Sequence, residues 1–432
     1  MTSIGPATDG AARRDDRPDL ADARARDAAD PLSALRDRFL IPTTADGTPA
    51  IYLAGQSLGL QPRTARAAIE LELDTWARLG VDAWFDPERP WFTLDSTLRE
   101  PMARVVGARP DEIGLMHSLT VNVHLLLTSF YRPAGRRSKI LTDGPLFPSD
   151  RHALMSHLVA RGLDPDRELI IVAPRTGEAI LRTEDIEAAI ADHHDQLALV
   201  FLDGVNFATG QAFDIGRLTA AGHEAGAIVG WDLAHAAGNV ELTLHDDDVD
   251  FAAWCTYKYL NCGPGAVGSI FVHARHAHDP RRPRLSGWWG IDPDHRFDPV
   301  APFVPASGAA GWATSTPSIL ALAPVAASLA IFGEIGMPAL RARSVALTGY
   351  LERLLDGLQV DVITPREPPA RGAQLSLRFP DAGSVIEGLA AHSVVADYRA
   401  PDIIRVAPVP LYNTFEDAWR LADVLRQVAD PG

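Results

Sequence analysis

From about residue 65 to 320, short apolar runs with no polar alternation recur at 138–142, 169–172, 197–202, 227–231, 251–256 and 269–272, with helical patterns between them. A strand wet on one face alternates apolar and polar positions, so runs without alternation belong to a sheet covered on both faces. Strands interleaved with helices predict a parallel or mixed sheet of the α/β class. After a helix expected over 318–335 the pattern changes. Strands are expected at 374–379, 394–398 and 403–409, with a helix among them and another at the end. The last helix opens at Thr414-Phe-Glu-Asp417, a capping-box-like start, and carries Phe415, Ala418, Trp419, Ala422 and Leu425 on one face. The expected organisation is therefore a large domain at 66–325 and a smaller α+β domain at 326–432. Residues 31–65 are expected to pack with the small domain. Residues 1–30, mostly Asp, Ala and Arg, read as a disordered tail.

Composition narrows the function classes. The 432 residues carry a formal charge of −16, with 47% hydrophobic and 22% charged positions. These are the proportions of an ordinary globular protein, and the sign argues against binding nucleic acid or an anionic membrane. The apolar stretch 319–332 is interrupted by Pro324 and Ser328 and followed by Glu334, so it reads as a buried helix rather than a membrane span. Cys255 and Cys262 lack the spacing of a disulfide framework or a metal site, which points to a reducing cytoplasm and no metal. Of the 40 basic side chains only Lys139 and Lys258 are lysines. Where arginine serves every purely cationic task, a surviving lysine marks a place where guanidinium fails. Lys139 opens a strand and reads as a solvated charge. Lys258 lies in Trp254-Cys-Thr-Tyr-Lys-Tyr-Leu260, where an ammonium is unfavourable unless it is paired or neutral, and a neutral amine is what Schiff-base chemistry requires.

Sites in such sheets form beyond the carboxyl ends of strands. Three expected strands end in reactive residues: one runs into Asp232-Leu-Ala-His235, one into Tyr257-Lys258, and one into the loop Phe147-Pro148-Ser149-Asp150. Each alone reads as an ordinary cap, turn or snorkelling lysine. Together they supply an amine for an imine, a carboxylate for a ring nitrogen and an aromatic to stack on a flat ring, the minimum set for pyridoxal 5'-phosphate. Ser118-Leu119-Thr120 starts a helix whose free N–H groups suit the phosphate.

These segments, with Tyr52-Leu-Ala-Gly-Gln56-Ser57-Leu-Gly59, Asp232-Leu-Ala-His235-Ala-Ala-Gly-Asn239, Tyr257-Lys-Tyr-Leu-Asn261, Gly287-Trp288 and Ile404-Arg405-Val-Ala-Pro-Val-Pro-Leu-Tyr-Asn413, closely resemble the kynureninase family, in the same order from about residue 32 to 430. The resemblance implies the aminotransferase-like fold type I and dependence on pyridoxal phosphate. It implies that Lys258 holds the cofactor and moves the α-proton, that Asp232 pairs with the ring nitrogen, and that His235 orients that edge. Phe147 would stack on the ring, with Pro148, Ser149 and Asp150 in the same loop. Leu119, Thr120 and Tyr257 would hold the phosphate, and Tyr257 is also an acid/base candidate. Trp288 and Thr316 would reach the phosphate from a second subunit of a homodimer. Arg405 would clamp the substrate α-carboxylate near Ser57 and Trp84. The implied reaction is hydrolysis of L-kynurenine to anthranilate and L-alanine, in tryptophan breakdown or in secondary metabolism on a ring-modified kynurenine.

Some positions depart from that pattern. Gln56 replaces the family's usual Asn, and Asp203 stands where Ser or Thr is frequent near the phosphate, so neither is assigned a role. Trp84 and Ser315-Thr316 match the bacterial form of the aryl pocket and imply a preference for kynurenine over 3-hydroxykynurenine. Outside this class, Gly55-Gln-Ser57-Leu-Gly59 fits the G-x-S-x-G elbow of serine hydrolases, but too few strands precede it. A cysteine desulfurase-like activity would need a mobile cysteine nucleophile, and both cysteines lie too close to Lys258 for that. A non-catalytic binding protein on the same scaffold is the remaining alternative. His273, His276 and His278 read as solvated surface.

Overall fold

The structure, a computed structural model, describes residues 18–429 apart from 45 and 301. Seven strands build the main sheet: β1 (Ile113–Leu115), β2 (Lys139–Asp143), β3 (Leu169–Val172), β4 (Leu197–Asp203), β5 (Ile228–Asp232), β6 (Phe251–Trp254) and β7 (Ser269–Val272). Their order across the sheet is β1-β7-β6-β5-β4-β2-β3. Strands β2 to β6 pair in parallel, and β7 runs antiparallel to both β6 and β1. Six of the seven were expected within a residue or two at each end; β1 is only Ile-Gly-Leu, too short to stand out as a run.

The absence of alternation has the predicted cause. Successive side chains of a strand point to opposite faces, and here each face meets its own core. Val200, Leu202, Ala252 and Trp254 enter one apolar cluster, while Leu199, Phe201, Phe251 and Ala253 enter another. The helix Ile319–Ile335 buries Leu322, Val325, Leu329 and Phe332, and the Ser328 hydroxyl donates to the Leu260 carbonyl. Among the described residues no single helix is long and apolar enough to cross a membrane.

A third apolar cluster lies under a four-stranded antiparallel sheet of β8 (Asp361–Val362), β9 (Leu375–Arg378), β10 (Asp397–Arg399) and β11 (Ile403–Val406), in the order β8-β9-β11-β10. The helix Met337–Leu355 links the cores, with Met337 and Leu340 in the first and Leu347 to Leu355 in the third. Earlier in the chain, Ile51–Tyr52 pairs in parallel with Val394–Val395, and Ala54 bridges Ala407. The final helix, Phe415–Ala429, opens with the expected reciprocal cap. Asp417 N–H donates to Thr414 Oγ1 at 3.0 Å, and Thr414 N–H to Asp417 Oδ2 at 3.2 Å.

The expected disordered tail needs correction. Residues 1–17 lie outside the described residues, but Leu20–Ala29 form a helix capped by Asp19. Its anchorage is polar, which a search for large apolar residues misses. The Asp27 carboxylate accepts from the N–H groups of Phe415 and Glu416 at 2.8 and 2.9 Å, Arg24 pairs with Glu416, and Ala23 is buried.

Candidate active site

Strands β2, β4, β5 and β6 deliver their last residues to one edge of the sheet. Beyond β6 the chain passes through buried Cys255 and Thr256 to half-buried Tyr257 and Lys258. Lys258 Nζ lies 2.9 Å from His235 Nε2 and 5.9 Å from the centre of the Phe147 ring. His235 follows β5 by three residues and is buried. Burial, and then the charges of Lys258, Arg405 and Arg399, hold its pKa well below the usual histidine range. His235 Nε2 faces the Lys258 amine, and Nδ1 is buried without a partner.

Four buried carboxyl groups gather at this edge of the sheet. Asp232 ends β5 and accepts from Ala234 N–H at 2.6 Å, and its charge acts on the nearby Asp150 carboxyl. Asp143 ends β2 and accepts from Asp203 N–H at 2.9 Å and Asn206 Nδ2 at 3.2 Å. Asp203 ends β4 in register with Asp232. Burial raises the pKa of all four: Asp143 to about 6, Asp232 upward, and Asp150 and Asp203 well above the usual carboxylate range. Lys258 opposes the rise at Asp150, Asp203 and Asp232.

Asp150 sits in the first turn of the helix Pro148–Ala160, whose N-cap is Phe147. Leu119 and Thr120 open the helix Leu119–Phe130, and Thr120 Oγ1 meets Ser149 Oγ at 2.7 Å. Two helix N-termini therefore converge beside Lys258, each with unpaired N–H groups and a partial positive charge. Tyr257 keeps its phenolic proton because burial, with the neighbouring Cys255 thiol next, raises its pKa. Its carbonyl accepts from Gly59 N–H at 2.8 Å, and a Cβ at Gly59 would run into Lys258 O and Asn261.

On the other flank Arg405, on β11, is buried. It donates from Nη1 to Phe207 O at 2.6 Å, and from Nη2 to Asp397 Oδ2 at 2.7 Å and Ser57 Oγ at 3.1 Å. Its Nε is buried without a partner. Asp397 is also paired with Arg399 at 2.9 Å and accepts from the Ser57 hydroxyl. Phe207 joins the two flanks, since its ring packs edge-on against Phe147 at 5.1 Å. Gln56 is buried, and its Nε2 donates to Arg405 O at 3.3 Å.

Lys258, Asp232, His235, Phe147 and Asp150 are thus brought together, with Thr120 and Ser149 at adjoining helix ends and Ser57 beside Arg405. Trp84, Trp288 and Thr316 lie elsewhere in the protomer. Trp84 packs against Trp91, Phe92 and Trp289. Half-exposed Trp288 joins the same aromatic cluster and donates its indole N–H to Arg296 O, while Thr316 is exposed. Phe207, Asp397, Arg399, Asp143 and Asn206 were not anticipated. Asp397 and Arg399 sit on an edge strand of the small sheet, and nothing in their local sequence shows that they face Arg405. Ser57 is no hydrolase elbow: its hydroxyl partners are a carboxylate and a guanidinium, with no imidazole among them.

The histidine segment is less solvated than expected. His276 is mostly buried with Nε2 2.5 Å from Asp250, and mostly buried His273 stacks on His245 beside Glu112; His278 is exposed. Glu112 Oε1 already takes the Ala274 N–H and His245.

A mixed sheet of this order, with a lysine beyond β6, an aspartate at the end of β5 and a small C-terminal domain, defines an enzyme fold of the aminotransferase class V type, fold type I. Solved structures share it. The C-DES protein with glycine covalently linked to its PLP cofactor matches with a TM-score of 0.74 at 20% identity, covering 87% of this chain and 96% of that one. The cysteine desulfurase CsdA from Escherichia coli matches with a TM-score of 0.72 at 16% identity, covering 92% and 98%. Residues 340–425 match the kynureninase C-terminal domain family. Proteins named kynureninase from Salinispora tropica and Koribacter versatilis are 52% and 51% identical, over 92% and 91% of this chain and 95% and 94% of their own lengths. The chain belongs to the kynureninase family.

Proposed function

We propose that this protein is a pyridoxal-phosphate-dependent hydrolase that cleaves the Cβ–Cγ bond of L-kynurenine with water, releasing anthranilate and L-alanine. The observation that carries the reading is the position of Lys258, with Nζ 2.9 Å from a neutral His235 and 5.9 Å from the Phe147 ring, in a chain half identical to proteins named kynureninase.

The residues suit the cofactor. Buried polar atoms without partners, His235 Nδ1 and Asp150 Oδ1, adjoin the amine, and an aromatic face lies near it. Lys258 is the attachment point, Phe147 the stacking face, and Asp232 the partner of the ring nitrogen, with His235 and Asp150 along the polar edge. Leu119, Thr120 and Ser149 at two helix N-termini, with Pro148 fixing the start of the second, and Tyr257 take the phosphate. When bound, the cofactor supplies an electron sink that makes the substrate α-proton acidic.

The protein's own part is orientation and proton traffic. Arg405 has five N–H groups and spends three on Phe207, Asp397 and Ser57, leaving two for the α-carboxylate. Lys258 is the base at Cα, and Tyr257, protonated at neutral pH, is the acid/base candidate at the water-addition step. Trp288 and Thr316 reach the phosphate from a second copy, so the working form is a homodimer, acting on tryptophan-derived substrates in the cytoplasm. Trp84 and Ser315-Thr316, as parts of the aryl pocket, favour kynurenine over 3-hydroxykynurenine.

The test is incubation of the purified, cofactor-supplemented protein with L-kynurenine, 3-hydroxykynurenine and ring-substituted analogues, following aromatic amine and alanine together. Borohydride should fix the cofactor on the Lys258 peptide. No product from any substrate, or no modified peptide at Lys258, overturns the reading, and equal kcat/KM for the first two substrates refutes the preference.

A further inference from the structure

The strongest unassigned feature is Asp203, a buried carboxyl at the end of β4 beside the Lys258 group. We propose that Asp203 is a neutral, proton-bearing carboxylic acid and a positioning residue, holding a proton of the buried carboxyl cluster so that Asp232 keeps its negative charge toward Lys258. The proposal rests on the cofactor reading above and deepens it.

Hydrogen-bond donors decide how charge is shared. A buried carboxylate is tolerated where N–H groups or a cation compensate it. Asp143 has a donor on each oxygen, Asp203 N–H on Oδ1 and Asn206 Nδ2 on Oδ2. Asp232 has the Ala234 N–H at 2.6 Å and the pull of Lys258. Asp150 has Oδ1 buried and bare, and burial together with the nearby charge of Asp232 holds its pKa well above the usual carboxylate range, so it carries a proton. Of the remaining three, Asp203 has the weakest claim to charge. Its one side-chain donor is Asn206 Nδ2 at 3.3 Å, and that amide has two hydrogens for three acceptors, Asp143 Oδ2, Pro145 O and Asp203 Oδ2. The titratable groups facing Asp203 are Asp143, Asp232, Asp150 and Lys258, three anions or potential anions against one cation. Like charges gathered in one buried cluster cannot all ionise, so beyond Asp150 the least-donated of Asp143, Asp232 and Asp203, which is Asp203, keeps its proton. With Asp203 neutral, the negative charge nearest Lys258 resides on Asp232, the group placed to face a ring nitrogen.

The isostere of a protonated carboxyl is the amide, so the test compares wild type with Asp203→Asn, and with Asp232→Asn as a charged control. The infrared spectrum of the cofactor-loaded protein at pH 7 should contain the carbonyl stretch of a protonated buried carboxyl that Asp203→Asn removes. The pH midpoint of the visible absorbance of the cofactor at Lys258 should stay within measurement error in Asp203→Asn. It should fall by about one unit or more in Asp232→Asn, because removing a nearby negative charge disfavours the protonated nitrogen. An unchanged infrared carboxyl band, or a midpoint that drops in Asp203→Asn by about one unit, means that Asp203 is ionised and overturns the proposal. Should the protein take up no cofactor, the wider reading fails, while the infrared comparison still reports the protonation of Asp203.

Discussion

Replacing Arg405 by lysine keeps a positive charge and removes the planar fork, which isolates the geometric part of carboxylate recognition. Three of the five N–H groups of Arg405 are committed to Phe207 O, Asp397 and Ser57, so two remain for the substrate carboxylate. An ammonium has three donors in all and must serve the same internal acceptors. Arg405→Lys therefore loses at least one hydrogen bond to a charged group, about 1.5–3 kcal/mol, or roughly a 10- to 150-fold loss in kcat/KM. The loss should appear in KM with kcat changed by less than about threefold, because the carboxylate is bound equally in ground and transition states. The assay is steady-state release of anthranilate from L-kynurenine, with cofactor absorbance as the control for an intact site. A kynurenine analogue whose carboxylate is replaced by an amide should be a poor substrate for both proteins, so the ratio between the two substrates should collapse in the variant. A KM within threefold of wild type, at full cofactor loading, refutes the assignment of Arg405 to the carboxylate.

Lys258→Ala should abolish product release and leave no cofactor absorbance after gel filtration, whereas Ser57→Ala removes a hydrogen bond from the Arg405 guanidinium and another to the Asp397 carboxylate and should lower kcat/KM by about 10- to 100-fold without abolishing turnover. If the serine variant is the inactive one, hydrolase chemistry at Ser57 returns to consideration. Gly59→Ala sets a Cβ against Lys258 O and Asn261 and should lower thermal stability by about 1–3 kcal/mol while loosening cofactor binding; an unshifted melting curve contradicts this packing. Asp250 resists burial through hydrogen bonds from His223, His276, Val229 N–H and Arg275, and its pKa lies far below the usual range. A depressed folded-state pKa gives stability that is complete above the unfolded value of about 4 and is lost as pH falls below it. Asp250→Asn should then be less stable by about 3 kcal/mol at pH 7, with the gap constant down to pH 5 and shrinking below about pH 4. Denaturant titrations at several pH values check this, and a gap that widens on acidification contradicts it.

How much could be read from the residues depended on which forces were local. Uninterrupted apolar runs mark strands buried on both faces, which is why β2 to β7 were legible. β1 has three residues, and its burial is a consequence of pairing with β7. That Lys258, Asp232, His235 and Phe147 meet at one edge of the sheet was legible because each ends or closely follows a strand. Asp397 and Phe207 were not, because their roles come from long-range meetings. Asp397 faces Arg405 across neighbouring strands, and Phe207 meets Arg405 through its backbone carbonyl, which carries no sequence signal. The N-terminal helix was missed for a related reason: a carboxylate capping a helix nearly 400 residues away leaves no trace in local hydrophobicity.

The charges of the two flanks explain why an amino acid is the ligand these residues await. Burial works against ionised Asp397, but the neighbouring Arg405 and Arg399 hold its pKa below the usual carboxylate range, so that cluster has two guanidinium groups and one carboxylate. Arg399 is partly exposed but Arg405 is buried, where an uncompensated charge is unfavourable, and a single carboxylate at Arg405 neutralises the excess. On the Lys258 flank the imbalance has the opposite sign. Asp143 and Asp232 carry charge, Asp150 and Asp203 carry protons, and the single nearby cation is the amine that must be free to act as a base. The cofactor's ring nitrogen balances the second flank at Asp232, and a substrate carboxylate balances the first at Arg405. An amine without the carboxylate leaves the first flank positive, so its binding should weaken steeply relative to the amino acid, and more so at low salt, because the screening that would mask the mismatch is then least.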